Sequence, residues 1–182
     1  IYYNENLDKI VIGYQTGLIE IIDNQNQVTI AKDIVNFNYS GNKAINNITE
    51  YNNKLYLSTS FAIVVYDLES LQFGDTYFIG NQSSELKINQ VKVFENTLYA
   101  ATESGIFTAE VNNPNLIDFN NWTQNFTGDF TDITAFNNQI YTSRNNNLYK
   151  IENNNLTLVK TYSSNIITLK ASLNHLTITT LK

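Results

Sequence analysis

Few residues in this chain combine a reactive side chain with a useful spacing. His175 is the single histidine and there is no cysteine, which leaves no His-centred triad, no thiolate nucleophile and no Cys/His zinc set. Asp67, Glu69, Asp75, Glu103, Glu110 and Asp118 are the acids a glycosidase pair would draw on, but they are scattered and no spacing marks two of them out. The run Asp23, Asn24, Gln25, Asn26, Gln27 resembles a calcium loop superficially. It lacks the central glycine and the closing bidentate glutamate, so a strand-connecting turn is expected there. No phosphate-binding glycine loop is present. Arg144, the only arginine, is expected in a solvated loop between two strands, with anion clamping as the alternative. Tyr14, Tyr39, Phe61 and Trp122 stand outside any repeating pattern and are the candidates for exposed aromatics. Asn121-Trp122-Thr123 and Asn125-Phe126-Thr127 fit a glycosylation sequon, as an Asn-rich chain readily does by chance. These residues support no catalytic, cofactor or metal assignment, and they leave ligand-binding residues unknown.

The elements that would have to position such groups are strands. A net charge of −6 argues against nucleic acid and anionic lipid surfaces, and 42% hydrophobic residues suffice for a sizeable core. The stretch 53–80 contains three short β-branched and aromatic runs separated by small or polar breaks, a strand pattern. Strand openings at Ile10, Leu55, Leu98, Ile140 and Leu176 recur at spacings of 45, 43, 42 and 36 residues. Seven residues before the last four stand Ile48, Val91, Ile133 and Leu169; two residues before them stand Asn53, Asn96, Asn138 and Asn174. Asparagine tolerates positive φ, so each unit reads as a hairpin with a tight turn. After the openings, Gly17, Ala62, Gly105 and Asn147 precede a third strand, and a fourth run follows at 27–31, 76–79, 122–126 and 156–161.

Four antiparallel strands in about 42 residues, repeated, predict an all-β chain of β-propeller blades with almost no helix. The expected blades span about 1–35, 44–80, 88–126 and 130–163, with the first hairpin of a fifth at 166–182. Tyr51, Phe94 and Phe136 are equivalent, as are Tyr56, Tyr99 and Tyr141, and repetition in every blade points to packing between blades. The first residue is not Met and already lies in patterned sequence, so the chain reads as an arc cut from a larger ring. Open blade faces and an unpaired edge at 176–181 lead to the expectation that this piece self-associates.

The motif at residues 99–107 (YAATESGIF) resembles propeller repeats of two-component regulators. A closer likeness runs through residues 12–17 (IGYQTG), 42–46 (NKAIN), 56–68 (YLSTSFAIVVYDL), 75–80 (DTYFIG) and 115–122 (NLIDFNNW). Together these resemble the N-terminal propeller of the PorZ-like components of the type IX secretion system in Bacteroidetes. Ala62 departs from the glycine favoured in that family, so a left-handed backbone there would be strained or absent. The resemblance implies a non-enzymatic cell-surface module, at the outer membrane, without cofactor. Its implied partners are a PorU-like sortase and the anionic lipopolysaccharide delivered to it, and no motif assigns that glycolipid to particular residues here. The alternative is a periplasmic sensor or solute-binding propeller of a two-component regulator or transporter system.

Overall fold

A computed structural model describes all residues, Ile1–Lys182. The chain forms four four-stranded antiparallel sheets in succession and a two-stranded fifth. The first comprises β1 (Tyr2–Asn4), β2 (Lys9–Gly13), β3 (Ile19–Ile22) and β4 (Val28–Ala31). The second holds β5 (Ile45–Tyr51), β6 (Lys54–Thr59), β7 (Ile63–Asp67) and β8 (Gln72–Tyr77). In the third are β9 (Ile88–Phe94), β10 (Thr97–Thr102), β11 (Gly105–Glu110) and β12 (Thr123–Thr127). β13 (Asp132–Phe136), β14 (Gln139–Arg144), β15 (Asn147–Glu152) and β16 (Asn155–Thr161) make the fourth, and β17 (Ile166–Ala171) with β18 (Leu176–Thr180) the last. Every sheet is a meander with its strands in chain order, and the first strands of neighbouring sheets lie side by side. This is the blade arrangement of a β-propeller, four blades and one hairpin.

Turn chemistry explains the spacing. Asn52 and Asn53 sit at φ 52° and 60°, and Asn137 and Asn138 at 47° and 57°, the double positive φ of a two-residue hairpin turn matched to strand twist. In the third blade only Glu95 has a positive φ (54°) and Asn96 does not, and Asn174 in the fifth hairpin does not either, so the expected left-handed Asn is absent from both turns. The fourth strand of the second blade starts at Gln72, ahead of the expected 76–79. Leu71 adopts φ 57° and Asp67 Oδ1 accepts from the N–H groups of Glu69 and Ser70, closing a tight turn that returns the chain early. Ala62 keeps a negative φ. Thr59 Oγ1 accepts from Ala62 N–H (3.0 Å) and donates to its carbonyl (2.7 Å), as Thr102 does with Gly105. The threonine holds the turn, so the position needs no left-handed residue. Helix is limited to one turn, α1 (Asp33–Asn36), and two 3₁₀ turns, Asn81–Ser83 and Phe119–Asn121.

The core lies in the seams between blades. Between the first and second, Val11, Ile19 and Ile21 meet Leu55, Leu57 and Tyr66 in a cluster of 12 buried residues. The next seam joins Tyr56, Val65 and Tyr77 to Val91, Leu98 and Phe107 in a cluster of 15. Five buried residues, among them Ile106, Phe130 and Ile133, form the third seam, and Leu148, Ile166 and Leu169 the fourth. Ile48, Val91, Ile133 and Leu169 all lie on first strands and each packs toward the preceding blade. Most of the repeated aromatics follow suit: Tyr51 and Tyr56 at the second seam, Phe94 and Tyr99 at the third, Tyr141 at the fourth; Phe136 instead packs on Tyr141 of its own blade. Burying a Leu, Ile or Phe gains about 1.5–3 kcal/mol, so the seams hold the arc together.

Candidate functional site: the central concavity

The first strand of each blade is an edge strand of its sheet and lies beside the first strands of its neighbours. Together β5, β9, β13 and β17 border a concavity of about 630 Å³. Amides (Asn46, Asn47, Gln90), hydroxyls (Thr49, Thr134, Thr168) and the charged Glu50, Lys92 and Lys170 line it. Several are fixed. Asn46 Nδ2 donates to Ile88 O (2.8 Å) and Thr49 Oγ1 to Val91 O (2.6 Å), each crossing from the second blade to the third. Glu50 accepts from Asn53 N–H at 2.6 Å and from the Tyr2 hydroxyl at 3.5 Å. Burial, then the Glu50 charge, raises the Tyr2 pKa. Such a surface can bind polar ligands through neutral donors and acceptors and two ammonium groups against one carboxylate.

At the rim of this region lies an acid that the sequence reading passed over. Asp132 opens β13 and is 3% exposed. Its carboxylate accepts from Ile133 N–H (2.7 Å), Leu169 N–H (2.7 Å) and the Thr168 hydroxyl (3.0 Å), joining the fourth blade to the fifth. Burial outweighs these donors and pushes its pKa up to about 6. The available signal was positional: Asp132 stands directly before Ile133, as Asn47 and Gln90 stand before Ile48 and Val91. Asn89 was missed likewise; its Nδ2 donates to Phe130 O at 2.8 Å, the counterpart of Asn46 and Ile88 one blade on.

The residues singled out from sequence are dispersed. His175 is exposed in the β17–β18 turn, where its carbonyl accepts from Ser172 N–H. Asp67, Glu69, Asp75, Glu103, Glu110 and Asp118 stay outside the concavity; Asp67 and Asp118 accept from backbone N–H groups in their own turns, and Glu103 from Lys87 N–H. Asp23 Oδ1 likewise accepts from Gln25 and Gln27 N–H in the β3–β4 turn. Arg144 is the last residue of β14 rather than a loop residue, exposed, with its guanidinium 6.0 Å from the Phe130 ring. Of the aromatics expected at the surface, Tyr14 is exposed and Tyr39 half-buried. Phe61 and Trp122 are buried, a correction. Phe61 stacks on Phe37 at 5.5 Å and is flanked by Tyr39 and Phe78, because the 32–44 connector folds back over it. Trp122 donates its indole N–H to Leu116 O at 2.9 Å and packs on Tyr77. Asn121 is engaged with Asn115 O, and Asn125 with Thr108 Oγ1.

Sequential four-stranded blades around a polar axial concavity define a section of a β-propeller. The family of type IX secretion system PorZ N-terminal β-propeller domains matches residues 1–123, and the chain belongs to that family. Among solved structures it is similar to PorZ, an essential bacterial surface component of the type IX secretion system of Porphyromonas gingivalis, at 20% identity and TM-score 0.67. That match covers 95% of this chain and 28% of the other. The extracellular domain of a putative hybrid two-component system from B. thetaiotaomicron is similar at 16% identity and TM-score 0.71, covering 95% and 25%. The Cps50 (Swd1) β-propeller domain of Myceliophteria thermophila reaches TM-score 0.74 at 12% identity, covering 98% and 62%. At these identities the structural likenesses speak for the fold alone. No curated protein sequence matches the chain, which spans just over a quarter of the PorZ structure. No helix is long and apolar enough to cross a membrane.

Proposed function

We propose that this chain is a non-enzymatic binding and scaffolding module of a PorZ-like type IX secretion component. In this reading it acts at the cell surface, exported to the outer membrane, and helps deliver anionic lipopolysaccharide to a PorU-like sortase. The family match over residues 1–123 carries the proposal. The axial lining is compatible with it, since Lys92 and Lys170 offer ammonium groups to an anionic glycan and amides and hydroxyls serve its neutral parts. No titratable residue acts as acid, base or nucleophile in this role, and no cofactor takes part.

The test uses the full-length protein in its own cell. Deleting its gene should leave secreted cargo unanchored to lipopolysaccharide, and affinity capture should recover the sortase. Purified protein should retain anionic lipopolysaccharide and give no turnover on polysaccharides, esters or phosphoesters. Normal anchoring in the deletion strain would overturn the role; turnover abolished by one carboxylate substitution would overturn the non-enzymatic reading.

A further inference from the structure

The cleft on the outer flank between the second and third blades has a different character from the axial concavity. It encloses about 620 Å³ where the β8–β9 connector meets the long β11–β12 connector. Its apolar wall includes Phe107, Phe119 and Trp122, and its rim carries the side-chain amides of Asn81, Asn120 and Gln124. No ionisable side chain lines it. We propose that this cleft binds an uncharged oligosaccharide.

The amides are oriented before any ligand arrives. Asn120 Nδ2 donates to Asp118 Oδ1 at 2.8 Å, and Gln124 Nε2 donates to Ser104 O at 2.9 Å. Each therefore keeps its carbonyl oxygen free to accept from a sugar hydroxyl. The indole of Trp122 is held by its bond to Leu116 O. The half-buried Phe119 ring offers a flat apolar face to the C–H face of a pyranose, backed by the buried Phe107 and Trp122, while planar amides suit hydroxyls around the sugar's edge. An anionic ligand would find no cation here and would lose hydration without compensation. In the connector forming one rim, Gln82 and Ser83 are consecutive non-glycine residues at φ 56° and 57°. Such backbone persists where the surroundings enforce it. At Gly80 a side chain would run into Ser84, which fixes the bend.

Trp122 is the chain's only tryptophan, so its emission reports directly on the cleft. The protein is titrated with cellohexaose, maltohexaose and mannohexaose, and with oligogalacturonate as the charged control. At least one neutral hexaose should change the emission saturably, and oligogalacturonate should not. Phe119→Ala and Gln124→Ala should each weaken that binding about tenfold or more, equivalent to about 1.4 kcal/mol. Gln124→Ala, at an exposed residue, should leave the melting temperature unchanged even if Phe119→Ala lowers it. No saturable response to any neutral hexaose, equal binding of oligogalacturonate, or unaltered affinity in Gln124→Ala would overturn the proposal.

Discussion

Replacing Asp132 by asparagine tests whether one buried carboxylate couples the fourth and fifth blades. The side chain is 3% exposed and accepts three hydrogen bonds, two of them from the neighbouring blade. Burial raises its pKa from 3.8 to about 6, against the lowering effects of Leu169, Thr168, Ile133 and the Lys170 charge. The folded state therefore holds this proton more tightly than the unfolded chain does. The resulting stability is fully present below the unfolded value near pH 4 and is lost as pH rises through about 6. A gap of that size corresponds to about 3 kcal/mol as an upper bound. Asparagine keeps the shape, cannot titrate, and sets an amide N–H against Ile133 N–H, a local cost of about 1–3 kcal/mol. It also removes the buried charge, so near pH 7 the two effects offset and the variant should lie close to wild type. Near pH 4, where wild-type Asp132 is protonated and carries no such burden, the variant should be less stable by up to about 3 kcal/mol. Urea denaturation of both proteins across pH 4–7 supplies the difference curve, in which the other carboxylates cancel. Parallel stability curves would refute the argument.

Asn46→Ala and Asn89→Ala each remove a blade-to-blade bond to a backbone carbonyl, at 2.8 Å in both cases, and should each cost about 1 kcal/mol. Urea denaturation of each single mutant measures the cost, and a stability equal to wild type in both would contradict the bonds. Gly105→Ala should lower stability by about 1–3 kcal/mol, because a Cβ there would meet the Phe126 carbonyl; thermal melting equal to wild type would contradict the packing. Residues 1–182 on their own are expected to self-associate, since β18 pairs only with β17 while Ile1, Tyr3 and Leu181 are exposed; sedimentation as a strict monomer at high concentration would exclude this.

The blade architecture was legible because the repeat imposes the same demand at every seam. Ile48, Val91, Ile133 and Leu169 must each fill one, and the pairs Asn52-Asn53 and Asn137-Asn138 reverse the chain in the second and fourth blades. Features belonging to one blade alone were harder to read. Leu71 gives no hint of its left-handed turn, since leucine rarely adopts one, and so β8 was placed too late. Phe61 and Trp122 fell outside the repeat and passed for surface residues; connectors of irregular length bury them, and periodicity says nothing about irregular segments. Asp132, Asn46 and Asn89 act across blades, so their partners lie 36 to 42 residues away, and neither charge nor local pattern reveals the bond. The concavity follows from stacking the blades, and its Lys92 and Lys170 become neighbours in purpose only once the arc is assembled.

The seams are unequal: 12 and 15 buried residues bind the first three blades, five join the third to the fourth, and three join the fourth to the fifth. Considered mechanically, the arc is a fan whose ribs loosen toward one end. Under thermal agitation or traction, the joint with the fewest buried contacts yields at the lowest free energy. Blades one to three should then move as a stiff leaf, with β17–β18 swinging most readily on the Leu148–Ile166–Leu169 seam and the fourth blade next on the Ile106–Phe130–Ile133 contact. A swing at either joint changes the width of the axial opening, since Gln90 and Lys92 ride on the stiff leaf while Thr134, Thr168 and Lys170 ride on the moving strands. The grip of the concavity on anything inside it is thereby tied to the flexing of the two thinnest seams.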